Sequence, residues 1–247
     1  MFKFKKKISI KESNILIKTE NKVYIEIAKS VLLRERLLLE NYIRKHPEFL
    51  TSYEPLEVEE DAPRVVKLMA RSGKNADVGP MAAVAGSISQ IIVEDLSNYG
   101  CRNIISNNGG DIALRSTEDV VVGLYAGNSP LSAKVGFKID RDRTIDGYGV
   151  CTSAGTVGHS VSFGNADAVV VFAKESSIAD GAATSIGNFA VGPPEEAINR
   201  SLERAECIED IDGVFVVVGK YAGKVGRIPK LVKTGRKITY GELFEMI

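Results

Sequence analysis

Pairs of strand-like segments dominate the sequence and limit the folds open to it. "RNIISNNGGDIALRS" predicts a strand, a tight turn and a second strand. "DVVVGLYA" with "SAKVGFKID" predicts a second hairpin, and "GVFVVVGKYAGKVGRI" predicts a third late in the chain. Helical segments interrupt these hairpins irregularly. This pattern favours an α+β fold, with antiparallel sheets packed against helices, over a doubly wound parallel sheet.

The remaining elements follow from local patterns. Residues 2–28, with "ISI", "ILIKT" and "VYIEIA", predict a meander of strands, and a helix follows from Ala28. "RVVKLMARS" predicts a strand, whereas helices are expected at 80–99, at 179–191 and after "PP" at 193–194. With 247 residues, the chain is expected to form one domain. It comprises N-terminal strands and a helix (1–74), a core (75–205), and a C-terminal hairpin and short helix (206–247).

Composition excludes several functional classes. Lys+Arg and Asp+Glu both number 32, so a wholly basic nucleic-acid binder is not indicated. Seven basic residues without an acid lie between Gly213 and Tyr240, and a solvated strand face explains them better than a nucleic acid: Lys220, Lys224, Arg227, Lys230, Lys233, Arg236 and Lys237. The three cysteines form no CxxC pair, and no signal peptide or membrane span is evident. We therefore expect a cytoplasmic protein with no membrane partner.

Two polar loops are candidate binding elements. Gly109 and Gly110 permit positive φ and a close approach to a ligand, and Asn107, Asn108 and Asp111 flank them. A plain hairpin turn explains the same residues. The segment "VCTSAGTVGHS" collects hydroxyl groups and one imidazole at a strand end: Thr152, Ser153, Thr156, His159 and Ser160. It is typical of a ligand-binding loop, although an ordinary polar loop remains the alternative.

A third candidate is the stretch "SIADGAATSIGN". Asp180 and Thr184 lie four residues apart and share a helix face, so their oxygens are available to one cation such as Mg²⁺. The alternative is that Asp180 caps the helix. Capping alone does not explain why the residues between Asp180 and Thr184 are all small, although tight packing of the helix would.

The order of these segments resembles that of the ApbE-type flavin transferases, which move FMN from FAD onto protein threonines. The resemblance covers about Asn75 to Arg204, and its most specific parts are the Gly-Gly-Asp turn and the Asp180/Thr184 pair. It implies an ApbE-like fold, a metal at Asp180 and Thr184, and a ligand held by the two loops together with Asp77. The sequence is also similar to a branch of ApbE-like proteins of anaerobes, some of which are linked to sulfide assimilation into homocysteine.

Departures from the family pattern bear on the reaction. Ala83 stands where the transferases have a lysine, Ile88 stands where they have an acid, and His159 lacks its usual neighbours. We therefore expect a small anionic or nucleotide-like ligand bound with Mg²⁺, in a protein whose role in sulfur or homocysteine metabolism is one possibility. His159 and Cys151 are the catalytic candidates for a Mg-dependent transferase. Flavin transfer or FAD binding and a non-catalytic accessory role are the alternatives, and a homo-oligomer is left open.

Overall fold

The molecule consists of three layers, with helices on one face of a large sheet and a small sheet on the other. The structure is a computed structural model that describes residues 2–154 and 164–234. The α+β fold with antiparallel sheets is confirmed. Within the described ranges, no single helix combines the length and hydropathy needed to cross a membrane.

The large sheet has eight strands, and every neighbouring pair is antiparallel. Their order is β1-β2-β3-β4-β7-β8-β9-β10. The bounds are β1 Phe4–Ile10, β2 Ser13–Thr19, β3 Ile104–Asn108, β4 Asp111–Arg115, β7 Tyr148–Ser153, β8 Ala168–Ala173, β9 Ile211–Val218 and β10 Tyr221–Gly226. The first and third predicted hairpins thus contribute their strands to this sheet, as β3–β4 and β9–β10.

The small sheet covers the centre of the large one. It has the order β11-β6-β5, formed by β5 Val120–Gly123, β6 Val135–Ile139 and β11 Lys230–Lys233. Phe137 lies at its centre and meets Phe172 and Phe215 of the large sheet edge to face, with ring centroids 4.9 and 5.4 Å apart. Because helices cover the opposite face, β8 is buried along its whole length. This explains its unbroken apolar sequence.

The helices are α1 Val23–Lys45, α2 Glu48–Thr51, α3 Arg64–Ala76, α4 Val84–Asn98, α5 Arg141–Thr144, α6 Ser176–Asn188 and α7 Pro194–Glu206, with a 3₁₀ turn at Pro80–Ala83. In α4, Ile88, Ile91 and Ile92 are fully buried and pack on the sheet through the same core as α1 and α3. The small residues of α6 pack over β7 and β8. This layer places the N-terminal end of α4 near the start of β4, where Asp180 in the second turn of α6 reaches it. The first residue of α6, Ser176, lies beside Gly149 at the start of β7.

Four details differ from the sequence predictions. "VYIEIA" forms the first turns of α1, and "RVVKLMARS" lies in α3, so both strand predictions were wrong. The helix expected at 179–191 begins earlier, at Ser176. Strand β11 was not expected, and the C-terminal helix lies outside the described residues. The five described members of the basic stretch, Lys220 to Lys233, are all exposed, which suits a solvated face.

Candidate functional site

The Gly109–Gly110 turn closes the β3–β4 hairpin at one end of the large sheet. Asn108 pairs with Asp111, and both glycines have positive φ, at 71° and 119°. The Asn107 side-chain oxygen accepts a hydrogen bond of 3.0 Å from the Gly110 N–H. The hairpin reading is therefore correct, and it leaves the ligand-binding prediction open.

This turn lies beside the end of β7. A side chain added at Gly110 would place its Cβ 3.8 Å from the Thr152 carbonyl oxygen. The Asp111 Oδ1 accepts a hydrogen bond of 3.3 Å from the Thr152 N–H. Next to it, the Ser153 hydroxyl is buried and has no hydrogen-bond partner among the described residues. The Gly109–Gly110 turn is thus a neighbour in space of Thr152 and Ser153, the described start of the second predicted loop.

Asp180 approaches the same region from the helix layer. It lies in the second turn of α6, so it does not cap its own helix, as the alternative explanation held. Instead, its Oδ2 accepts a hydrogen bond of 2.7 Å from the Gly86 N–H in the first turn of α4. Unpaired N–H groups and a partial positive charge mark a helix N-terminus, so an acid from α6 stabilises the start of α4.

Close packing explains the small residues around Asp180. A Cβ at Gly86 would lie 2.4 Å from the Ser176 carbonyl oxygen, and one at Gly181 would lie 2.3 Å from the Ser72 hydroxyl. Ala182 and Ala183 are buried in the core between the helices and the sheet. The glycines and alanines therefore let α6 approach α3, α4 and β7.

Asp111, Asp180 and Cys151 form an acidic cluster, in which Asp180 and Cys151 are buried and Asp111 is half-buried. Burial raises the pKa of Asp111 to about 7, although the hydrogen bond from the Thr152 N–H opposes this shift. Burial and the nearby charge of Asp111 raise the pKa of Asp180 well above its usual range. No Lys or Arg among the described residues offsets either carboxylate. The cluster therefore favours bound protons or a bound cation.

Cys151 is fully buried at the centre of this cluster. Its thiol lies 3.3 Å from the Ser176 carbonyl oxygen, to which it donates a hydrogen bond. Burial, together with the charges of Asp111 and Asp180, raises the pKa of the thiol well above its ordinary value. The neutral thiol is favoured here, so this position suits packing better than nucleophilic chemistry.

The other residues predicted for the site lie at different distances from this cluster, and some lie outside the described residues. Thr184 is half-buried one turn beyond Asp180 on α6. Asp77 is exposed in a left-handed conformation at the C-terminal cap of α3. His159, Thr156 and Ser160 lie outside the described residues. In the ranges 2–154 and 164–234, no group of three or more His, Cys, Asp or Glu side chains is arranged to hold a metal ion.

A polar network between α4 and α6 was missed by the sequence analysis. The Gln90 Oε1 accepts hydrogen bonds from the Ser177 N–H at 3.0 Å and the Ser177 hydroxyl at 2.9 Å. The Ser89 hydroxyl donates to the Asp111 carbonyl oxygen at 3.0 Å. The sequence signal for this network was "SISQ", which places Ser87, Ser89 and Gln90 at buried positions in the first half of α4.

Comparisons with known proteins agree with this architecture. Residues 3–239 match the model of a family described as AbpE bacteria. A UPF0280 protein of Methanococcus aeolicus is 63% identical over 245 residues, covering 98% of this chain and 99% of that protein. A UPF0280 protein of Methanothermobacter thermautotrophicus is 49% identical over 243 residues, covering 98% of this chain and 93% of that protein.

Two solved structures share the fold. A variant of the flavin transferase ApbE from Vibrio cholerae aligns with a TM-score of 0.56 at 16% identity, covering 94% of this chain and 97% of that one. An ApbE protein from Thermotoga maritima aligns with a TM-score of 0.55 at 8% identity, covering 94% of this chain and 96% of that one. These likenesses concern the chain fold.

Proposed function

Because this chain belongs to the ApbE-related family described as AbpE bacteria, we propose that it binds a small anionic ligand of the nucleotide class together with a divalent cation. The ligand lies between the Gly109–Gly110 turn, the end of β7, the first turn of α4 and the second turn of α6. FAD is the first candidate, since the structural neighbour from Vibrio cholerae is named a flavin transferase. The observation that carries the proposal is the pair formed by the half-buried Asp111 and the buried Asp180, which lacks a basic partner among the described residues.

The donor set of this pair fits Mg²⁺. Magnesium prefers oxygen ligands and is usually held by one or two carboxylates while phosphate oxygens and waters complete the shell. Asp180 keeps an oxygen beyond the one that binds the Gly86 N–H, and the Thr184 hydroxyl lies one helical turn away. A bound cation would neutralise the repulsion between the two acids and would supply an electrophilic contact to phosphate oxygens.

The glycine turn and the strand end provide complementary contacts. Gly109 is exposed and has no atom within 4 Å of the position of an added Cβ, so a ligand can approach its backbone closely. The buried Ser153 hydroxyl still has hydrogen-bonding capacity to offer. An unpaired buried hydroxyl is unfavourable, so a ligand atom that pairs with it gains affinity.

Binding is proposed ahead of flavin transfer. The two positions at which the transferases carry a lysine and an acid hold Ala83 and Ile88, and both are buried apolar residues. Neither provides a charged group for cleavage of a diphosphate. The link to sulfide assimilation stays a prediction from the family resemblance.

The test is a binding titration of the full-length protein. Calorimetry with FAD and with ADP, each in Mg²⁺ and in EDTA, is expected to show binding that depends on Mg²⁺. Asp111→Asn and Asp180→Asn should each weaken that binding by about tenfold or more, because each removes a carboxylate ligand of the cation.

The matched control is Asp119→Asn, which changes an exposed aspartate that pairs with Lys138. It should bind as the parent does. Binding that withstands both EDTA and the two substitutions would contradict the proposal. Native mass spectrometry of the anaerobically purified protein identifies the ligand that accompanies it.

A further inference from the structure

A second cleft opens at the opposite end of the same strands. It has a volume of about 760 Å³ and lies between the last turns of α4, the end of β4, the start of β7 and the segment that begins α6. Asp111, Ala113 and Arg115 alternate along β4 and face the helices, with Asp111 at the candidate site and Arg115 in the cleft. At a rise of about 3.3 Å per residue, the Cα atoms of Asp111 and Arg115 lie about 13 Å apart. The two sites are therefore separate.

Charged side chains line most of this cleft, and most of its acids are already neutralised. The Asp212 carboxylate accepts a hydrogen bond of 2.8 Å from the Tyr148 hydroxyl and lies 3.7 Å from Arg143 and 3.5 Å from Arg227. Two further acids have partners at the rim: Glu94 pairs with Arg64, and Glu175 pairs with Arg71.

The remaining acids are Asp142 and Asp146. Asp142 lies 3.5 Å from Arg141. Asp146 is exposed and is the lining acid without an ion-pair partner among the described residues. The negative charge of the walls is thus largely balanced by the protein itself.

Two lining cations remain unbalanced. Within residues 2–154 and 164–234, neither the half-buried guanidinium of Arg115 nor the exposed ammonium of Lys174 has a hydrogen-bond or ion-pair partner. A guanidinium carries five N–H donors, and partial burial removes some of the water that would satisfy them. An anion placed between the walls would supply those acceptors.

We propose that this cleft binds a small molecule through an anionic phosphate or carboxylate group held by Arg115 and Lys174. Arg115 provides paired N–H donors that match either oxyanion, and Lys174 adds a point charge at the mouth. The cleft is large enough for a metabolite of ordinary size and is too polar for a hydrophobic ligand. This binding is independent of the function proposed for the Asp111/Asp180 site.

Calorimetric titration of the full chain with inorganic phosphate, and separately with succinate, tests the proposal and distinguishes the two anion chemistries. At least one probe is expected to bind. Arg115→Gln and Lys174→Gln should each weaken that binding about tenfold, since each removes a charge-assisted contact.

The control variant is Arg44→Gln, which changes an exposed arginine of α1. It should bind the probe as the parent does, and thermal melting confirms that all three variants fold. Failure of both probes to bind, or equal binding in the Arg115 and Lys174 variants, would overturn the proposal. Binding that requires Mg²⁺ and is lost in EDTA would assign the anion to the Asp111/Asp180 site instead.

Discussion

The Asp180 Oδ2 lies 2.7 Å from the Gly86 backbone nitrogen, so a carboxylate of α6 caps the N-terminus of α4. The contact joins residues far apart in sequence and fixes the angle at which the two helices enter the site. The same carboxylate is destabilised by burial and by the charge of Asp111. Its hydrogen bond and its charge therefore have opposite effects on stability.

Two substitutions at Asp180 separate these effects. Asp180→Asn keeps an oxygen that can accept the Gly86 N–H and removes the charge, so at pH 8 without divalent cations it should be at least as stable as the parent. Asp180→Ala also removes the cap, which is worth about 0.5–2 kcal/mol. Urea unfolding should therefore give Asp180→Ala a lower free energy of unfolding than Asp180→Asn. Equal values for the two variants would show that the hydrogen bond does not support α4.

The stability of the protein should fall as the pH rises through neutrality when no divalent cation is present. The pKa of Asp111 is about 7 in the folded protein, whereas an unfolded aspartate titrates near 3.9. A group with a raised folded pKa contributes stability below its unfolded pKa and loses it as the pH rises through the folded value. The loss should therefore extend from about pH 4 to above pH 7, with Asp111 and Asp180 titrating as a coupled pair.

Thermal melting in EDTA between pH 5 and pH 8 measures this effect. Asp111→Asn should show a smaller decline in melting temperature than the parent, and adding Mg²⁺ at pH 8 should raise the melting temperature of the parent more than that of the variant. Parallel pH profiles for the two proteins would contradict the interpretation.

Local sequence predicted the hairpins well because glycine turns and alternating apolar residues specify neighbouring strands. It failed at "RVVKLMARS", where β-branched residues suggest a strand although Val65, Val66, Met69 and Ala70 follow helical spacing and are buried. The contact between Asp180 and Gly86 was beyond prediction, since it depends on how α4 and α6 pack. The sequence identified Asp111 and Asp180 individually, and only the fold brings them together.

Gly86→Ala should destabilise the protein even though alanine favours helices. In a helix interior the substitution gains about 1 kcal/mol from propensity. Here the added Cβ would lie 2.4 Å from the Ser176 carbonyl oxygen and 2.7 Å from the Asp180 Cβ, so α4 and α6 must separate. Overpacking of this kind costs about 1–3 kcal/mol.

Gly181→Ala is the comparison for this prediction. Its closest clash is with the Ser72 hydroxyl, a side-chain atom that can rotate away at the loss of its 2.6 Å hydrogen bond to the Ser177 carbonyl oxygen. Because no backbone has to shift, the loss of stability should be smaller than for Gly86→Ala. Urea unfolding of the two variants measures the difference. A Gly86→Ala protein more stable than the parent would show that the helices tolerate wider spacing.

Gly110→Val should weaken FAD binding beyond its effect on stability. The φ of 119° is strained for a β-branched residue and costs about 1–3 kcal/mol, and the side chain would project towards Thr152. Gly147→Val is a matched control, because Gly147 has a φ of 108° but lies at the other end of β7. Both should lower the melting temperature, whereas only Gly110→Val should reduce FAD affinity in calorimetry. Equal affinities would place the ligand away from the glycine turn.

Alkylation of the native protein should spare Cys151. The thiolate is the reactive form, and burial with the charges of Asp111 and Asp180 raises the pKa of this thiol. Cys101 is also buried, and its pKa is raised chiefly by burial, whereas Cys207 is exposed. Iodoacetamide at pH 8, followed by peptide mass spectrometry, should therefore modify Cys207 first and Cys151 no faster than Cys101. In urea all three should react at similar rates, which controls for intrinsic reactivity. Rapid modification of Cys151 in the native protein would contradict this prediction and would make Cys151 a candidate nucleophile again. It would also mean that the helix layer covering Cys151 opens.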